Sequence, residues 1–392
     1  MNIQEDFVFW RLAYLFIHDH GYRVIQLFEN QRELWLEKLE NKSVPVIRLL
    51  RQDLNWSNTM QRDIELVALN GEKIRKQLVR GDLNVLNIYV SAYPPVDDYE
   101  FRINKPFTFG ESNKTFVHTV VLSNQEYQDG FQKLSVFTGS DVSFPIQGEY
   151  QLEEVATVKK AALEHAVKVV KAERDIFNHG KPIFTYIFLA VQIAIFLFLE
   201  ANGGSTNSAT LIKYGAKFNP LILEGEWWRF ITPIFLHIGF LHLAMNSLAL
   251  YYLGTTVERL FGSTRFVFIY LAAGFFGSVA SFIFSGDISA GASGAIFGCF
   301  GALLYFGTIF PKLFFRTMGM NVFILLAVNL AFGFSASGID NAGHLGGLAG
   351  GFLATGIVHF PKKKKVALQL LFLLITVAIA VGSLKYGFSG KA

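Results

Sequence analysis

A single cysteine, Cys299, stands in 392 residues, so the chain can form neither an intramolecular disulfide nor a cysteine-built zinc module. Charge is scarce in one half only. Residues 182–392 hold 13 Lys+Arg and 6 Asp+Glu, against 22 and 25 in residues 1–181. Globular chains average about a quarter charged, a level the first stretch meets and the second misses. That shortfall excludes a one-piece soluble enzyme, a disordered tail protein and a coiled coil. The opening MNIQEDFVFW has no basic leader followed by a small-residue cleavage site, so no cleavable signal peptide is expected. The net charge of +4 follows from where Lys and Arg fall around membrane spans; no nucleic-acid partner is inferred from it.

What the second half does have is apolar length. A span needs roughly 20 predominantly apolar residues, and from Pro182 onward the sequence predicts seven, at about 183–200, 239–257, 266–284, 291–310, 318–335, 342–360 and 366–388. Orientation follows from the breaks between them. Lys171, Arg174 and Lys181 precede the first span; Arg259 and Arg265, Lys312 and Arg316, and Lys362–Lys365 follow the second, fourth and sixth. The breaks after the third and fifth hold Asp287 and Asp340 and no Lys or Arg, while the long break after the first is mixed, with Lys213, Lys217 and Arg229 against Glu224 and Glu226. The expectation is a multi-pass protein of the cell membrane with its N-terminus in the cytoplasm and its C-terminus outside.

Polar residues inside spans are costly and usually functional. Ser293 and His344 stand a few residues into the fourth and sixth spans, both entering from the outer side, and His242 and Asn246 lie four apart on the second, hence on one helical face. Each has a plainer reading: a small packing serine, a packed histidine, polar glue between helices. Coincidence of depth favours chemistry, since a nucleophile, a base and oxyanion donors are the parts of serine hydrolysis. GxxxG pairs Gly294/Gly298 and Gly347/Gly351 would let the two helices touch.

With WWR at Trp227–Arg229, HxxxxHxxxN at His237–Asn246, GASG at Gly291–Gly294 and His344 ahead of Gly347-Leu-Ala-Gly-Gly351, the chain resembles the rhomboid intramembrane serine proteases over roughly 182–365, with a seventh helix appended. The resemblance implies a bundle of six plus one helices and a Ser293–His344 dyad that cleaves transmembrane segments near the outer face. It also implies that His242, Asn246 and the Ser293 N–H hold the oxyanion, with no cofactor for catalysis. Trp228 and Arg229 would belong to a membrane-embedded outer loop. Two positions depart from the family pattern: Phe297 replaces a tyrosine common four residues after the nucleophile, and Glu258-Arg259 replaces a Glu-x-Arg found in some members.

Residues 1–150 are expected to form a cytoplasmic α/β domain and 151–181 a charged helical linker to the 182–392 membrane domain. The pattern predicts a helix at Phe7–Asp19, strands at Tyr22–Phe28, Glu33–Leu39, Val44–Leu50, Leu83–Ala92 and Thr115–Ser123, and a polar helix at 57–80. No catalytic constellation appears there, so a regulatory role and a cytoplasmic partner are the expectation. His18 and His20 are weak candidate ligands for a regulatory divalent metal, although neighbours on a helix point apart. The alternative to a protease is a client-binding adaptor that presents membrane proteins to cytoplasmic partners; a transporter is disfavoured because the spans lack acidic or basic residues in corresponding halves and show no visible inverted repeat.

Overall fold

A computed structural model describes residues 3–77, 81–108, 114–335, 338–361, 363 and 365–390; Leu78–Arg80 of the expected polar helix, and Lys362 and Lys364 of the basic run, lie outside these. The chain divides into two compact units, Met1–Ala172 and Glu173–Ala392.

The first unit is a five-stranded sheet with helices on both faces. It runs α1 (Ile3–Tyr14) with a wider turn at Leu15–Asp19, β1 (Arg23–Leu27), β2 (Glu33–Glu37), β3 (Val46–Arg51), α2 (Ser57–Gln77), β4 (Leu83–Val90), α3 (Glu100–Ile103), β5 (Thr115–Leu122), α4 (Tyr127–Thr138) and α5 (Leu152–Phe177), the last crossing the boundary between units. Strands lie in sequence order, antiparallel through β1–β3 and parallel through β3–β5. The period of two sorts the side chains. Leu34, Leu36, Ile47, Leu49, Leu86 and Ile88 join α1 and α4 in one core. Trp35, Val46, Leu50, Val85 and Tyr89 meet Met60, Ile64 and Val67 of α2 in the other. The helix expected as a linker contributes Val155 and Ala162 to the first core.

One charge sits inside this sheet. The Arg48 guanidinium donates to Asp63 (2.6 and 3.1 Å), Glu33 (2.7 Å) and Asn87 (3.0 Å), and the Tyr89 hydroxyl donates to Asp63 at 2.5 Å. Burial disfavours the cation, but Asp63 and Glu33 outweigh it and raise the Arg48 pKa above its ordinary value. Burial, followed by the Asp63 charge, raises that of Tyr89.

The second unit is helical. It contains α6 (Phe184–Ala201), α7 (Ser208–Lys213), α8 (Asn219–Leu223), α9 (Phe240–Ala249), α10 (Thr255–Phe261), α11 (Ser263–Phe284), α12 (Ser293–Ile309), α13 (Pro311–Thr317), α14 (Gly319–Ser335), α15 (Asn341–Val358) and α16 (Val366–Ser389). A π-helical turn at Leu250–Gly254 joins α9 to α10, and tight turns at Trp227–Phe230 and Thr232–Phe235 follow α8. Each of the seven apolar stretches of the sequence carries helix. By length and hydropathy Ile183–Ala201, Ser263–Phe284 and Val366–Ser389 suffice alone to cross a bilayer, and α13 with α14 would do so as a pair bent by 70°. This is a multi-pass membrane unit. Its outward apolar surface is extensive, as on α16, where Leu374 is 69% exposed.

The centre of the unit is the trio α11, α12 and α15, held together by small residues. A Cβ on Gly347 would strike the backbone of Gly294 (2.6 Å to its carbonyl carbon, 2.9 Å to Cα), and one on Gly351 would strike that of Gly298. Without side chains at these positions the backbones themselves touch. Cys299 lies in this core with no accessible surface.

Glu258, of the Glu258-Arg259 pair that departs from the family pattern, is fully buried on α10. Its carboxylate accepts the N–H groups of Ile183 (2.9 Å), Phe184 (2.9 Å) and Thr185 (2.8 Å), and the Thr185 hydroxyl (2.7 Å). Those N–H groups open α6 and have no partner inside it, so an anion placed there satisfies donors and complements the helix dipole together.

Candidate active site

The segment between α11 and α12 delivers Ser293. Gly291, at φ +152°, donates its N–H to the Pro233 carbonyl at 2.9 Å. A Cβ there would lie 2.7 Å from Cε1 and 2.9 Å from Nε2 of His242, so only glycine lets that imidazole rest against the backbone two residues before the serine. Ala292 is the cap residue and Ser293 the first residue of α12, which leaves the N–H groups of the first turn without helical acceptors and aimed where an anion would be stabilised. Ser293 is half-buried.

α15 brings the imidazole. Asp340 caps this helix by accepting the Gly343 N–H at 2.9 Å, which places His344 within the first turn. Its ring stacks on Phe297, centroids 4.2 Å apart and 9° from parallel. Phe297 follows Ser293 by one turn of α12, so its phenyl face lies parallel to the imidazole on the serine's side of the helix. A Cβ on Gly294 would lie 3.3 Å from the Gly343 carbonyl oxygen, so the residue after Ser293 and the residue before His344 are neighbours. Nδ1 of His344 meets no hydrogen-bond partner among the described residues.

α9 brings a second imidazole and an amide. His242 and Asn246 share a face, and the Asn246 amide donates to the His242 carbonyl at 3.0 Å. Nδ1 of His242 accepts the Ile238 N–H at 3.4 Å, which assigns the ring proton to Nε2, the edge that lies against Gly291. His237, fully buried, packs edge-on to His242 with centroids 5.4 Å apart. The structure therefore gathers Ser293, His344 and His242 at the meeting of three helix ends, with Asn246 one turn further in.

The loop after α6 is held from inside. Arg229 is buried; its guanidinium donates to the carbonyls of Ile212 and Ala216, both at 2.8 Å, and to Glu226 at 2.5 Å. Trp227 and Trp228 remain exposed, as interfacial tryptophans do. The sequence marked Arg229 through its motif; it gave no sign of Lys217, whose ammonium is fully buried in this loop.

The histidines weighed as metal ligands do not converge. His18 stacks on Tyr14 (4.9 Å), approaches His165 (4.7 Å) and bonds its neighbour Asp19 (2.7 Å), while His20 packs edge-on against Phe16. Among the described residues no three His, Cys, Asp or Glu side chains are grouped to hold a metal ion. Burial lowers the His20 pKa below the usual histidine value.

The sequence model of the Rhomboid domain matches residues 224–361, the stretch carrying Arg229, His242, Asn246, Ser293 and His344. Rhomboid protease GluP of Bacillus subtilis is 44% identical over 385 residues, covering 97% of this chain and 75% of that protein. The putative rhomboid protease YdcA of the same organism is 35% identical over 188 residues, 47% of this chain and 92% of its own. RHOMBOID-like protein 1 of Arabidopsis thaliana is 39% identical over 153 residues, 38% of this chain and 39% of its own. The chain belongs to the rhomboid family of intramembrane serine proteases.

Proposed function

We propose that the protein is an endopeptidase in which Ser293 and His344 act as a dyad on transmembrane segments of other membrane proteins, near the outer face of the cell membrane. The stacking of His344 on Phe297 carries this reading. It orients the imidazole by a ring contact, the task that a carboxylate performs in a triad. Ser293 Oγ attacks the scissile carbonyl carbon while His344 takes its proton. The oxyanion that forms is held by His242 Nε2–H, the Asn246 amide and the Ser293 N–H. Collapse breaks the C–N bond as His344 returns the proton to the leaving amine. Water, deprotonated by the same imidazole, then cleaves the acyl-enzyme. Irregular backbone at this depth is tolerated where it lines an aqueous cavity, and the segment 285–292 supplies such backbone. Substrate helices with small or helix-weakening residues near the outer surface are favoured, because a helical carbonyl is already hydrogen-bonded.

The test is cleavage of a single-span substrate by the purified chain in detergent. Ser293→Ala and His344→Ala should each abolish nearly all turnover, with the double variant little worse, since nucleophile and base act as a unit. His242→Ala or Asn246→Ala should lower kcat on the order of 10²–10³ with little change in KM. Turnover by folded Ser293→Ala would refute the dyad.

In this reading the membrane domain, 182–392, crosses seven times with a cytoplasmic N-terminus. Residues 1–150 then lie across the bilayer from the chemistry, with 151–181 as their connection. They can select clients, recruit a cytoplasmic partner or respond to a ligand such as a divalent metal, but cannot supply reacting groups. A chain beginning at residue 175 should therefore cleave a generic substrate in detergent while losing client selection in cells. A folded but inactive truncation would refute that division of labour.

A further inference from the structure

Lys217 stands between α7 and α8 with no accessible surface. A buried ammonium is costly unless its donors are met, and here they meet one short stretch of chain. Nζ donates to the carbonyls of Ser285 at 2.8 Å and Asp287 at 2.9 Å. The Lys217 backbone pairs with Ser289 in both directions, Lys217 N–H to the Ser289 carbonyl at 2.9 Å and Ser289 N–H to the Lys217 carbonyl at 3.1 Å. Asn219 adds its amide to the Ser285 carbonyl at 3.0 Å. α11 ends at Phe284 with Ser285 as its cap, so the cation sits at the negative end of a helix dipole.

The stretch so held ends four residues before Ser293. Two residues past Ser289, Gly291 is tied to Pro233 and lies against His242. On the other side, Arg229 and the Thr232 hydroxyl hold the carbonyls of Ile212, Ala216 and Gly215, which fixes the turn from which Lys217 projects. A continuous set of bonds thus runs from the WWR motif, through Lys217, to the segment that presents the nucleophile.

We propose that Lys217 is a positioning residue for Ser293: by gripping 285–289 it fixes the direction in which this segment enters α12, and with it the placement of Oγ against His344 and the oxyanion donors. The inference rests on Ser293 being the nucleophile. Misplacing a reacting group by about 1 Å costs on the order of 10²-fold in rate. Lys217→Met, which keeps the stem and removes the donors, should lower kcat roughly 10- to 100-fold and leave KM within about threefold. Lys217→Gln, with one shorter neutral donor, should fall between Met and wild type. Lys213→Met, on the exposed end of α7, should match wild type.

The experiment combines cleavage kinetics of the full chain in detergent with labelling of Ser293 by a fluorophosphonate, located by mass spectrometry. Labelling counts folded active sites and reports nucleophile reactivity without substrate binding. The expected result is slow labelling and low kcat in Lys217→Met, with partial recovery in Lys217→Gln. Wild-type labelling and kcat in Lys217→Met would overturn the proposal, as would a loss confined to KM, or a glutamine variant as slow as methionine. If Lys217→Met does not fold, Lys217→Gln decides alone: reduced kcat supports the proposal and wild-type kcat overturns it. Failure of the wild type to label at Ser293 would instead refute the nucleophile reading beneath it.

Discussion

The two units bury charge by opposite means. In the first, Arg48 is matched by the side chains of Asp63 and Glu33, an arrangement of opposite charges around one guanidinium. In the second, Glu258 and Lys217 are matched largely by main chain: the carboxylate by N–H groups opening α6, the ammonium by carbonyls just past the end of α11. Arg229 combines both, with two carbonyls and Glu226. A membrane-embedded bundle has few charged side chains to spare, but every helix end offers several oriented, unsatisfied backbone groups. Such ends act as counter-charges that side-chain substitutions other than proline leave in place. The cores differ in the same way. The sheet interdigitates Leu, Ile and Val, whereas α12 and α15 meet backbone to backbone through glycine.

The comparison can be broken at three places. The largest effect should come from Gly347→Ala, because the new methyl would collide with the Gly294 backbone, which cannot rotate away. α12 and α15 must then separate, and kcat should fall on the order of 10²-fold, measured by cleavage in detergent; a tolerated alanine would show that the helix pair is looser than described.

Next comes Glu258→Gln. The amide presents an N–H2 to donors that need an acceptor, at roughly 3 kcal/mol, read by thermal unfolding in micelles and by faster hydrogen exchange in the first turn of α6. No second-site change should restore it, because the orphaned partners are main chain.

The smallest is Arg48→Met. Asp63 and Glu33 keep some exposure, so about 2 kcal/mol is expected, below the usual range for a fully buried pair. Hydrogen exchange in β3 and α2 of the full chain checks it. Here partner changes should help: adding Asp63→Leu together with Tyr89→Phe, whose hydroxyl otherwise loses its acceptor, should recover much of the loss, since every partner is a side chain. Recovery in the sheet and none at Glu258 would sharpen the distinction; the reverse would erase it.

The candidate site was legible in the sequence because its signals are local. Gly291–Gly294, His242/Asn246 and His344 each sit in a short pattern whose helical context follows from hydropathy alone, and the five strands of the first unit were visible as apolar runs between turns. What escaped depends on contacts between residues far apart. Lys217 read as one more loop charge in a tally of positive residues, yet its ammonium is fully buried. Glu258 read as a mismatch to a family pattern, and its partners lie more than 70 residues earlier. The helices at 127–138 and in the loop after α6 lacked a long apolar period: α7 and α8 are one or two turns each, and the buried face of α4 carries Gly130, where a Cβ would strike Leu122. His18 and His20 are two apart in sequence but serve separate contacts, as helix geometry requires.

Cys299 opens a way to watch the site. The only thiol in the chain is sealed inside the trio of central helices, where aqueous reagents do not reach. A cysteine introduced on the segment 285–292 or on the loop after α6 would therefore be the one reactive thiol in an otherwise native sequence. A spin label or fluorophore attached there would report movement of the nucleophile's approach without background and without first altering the core.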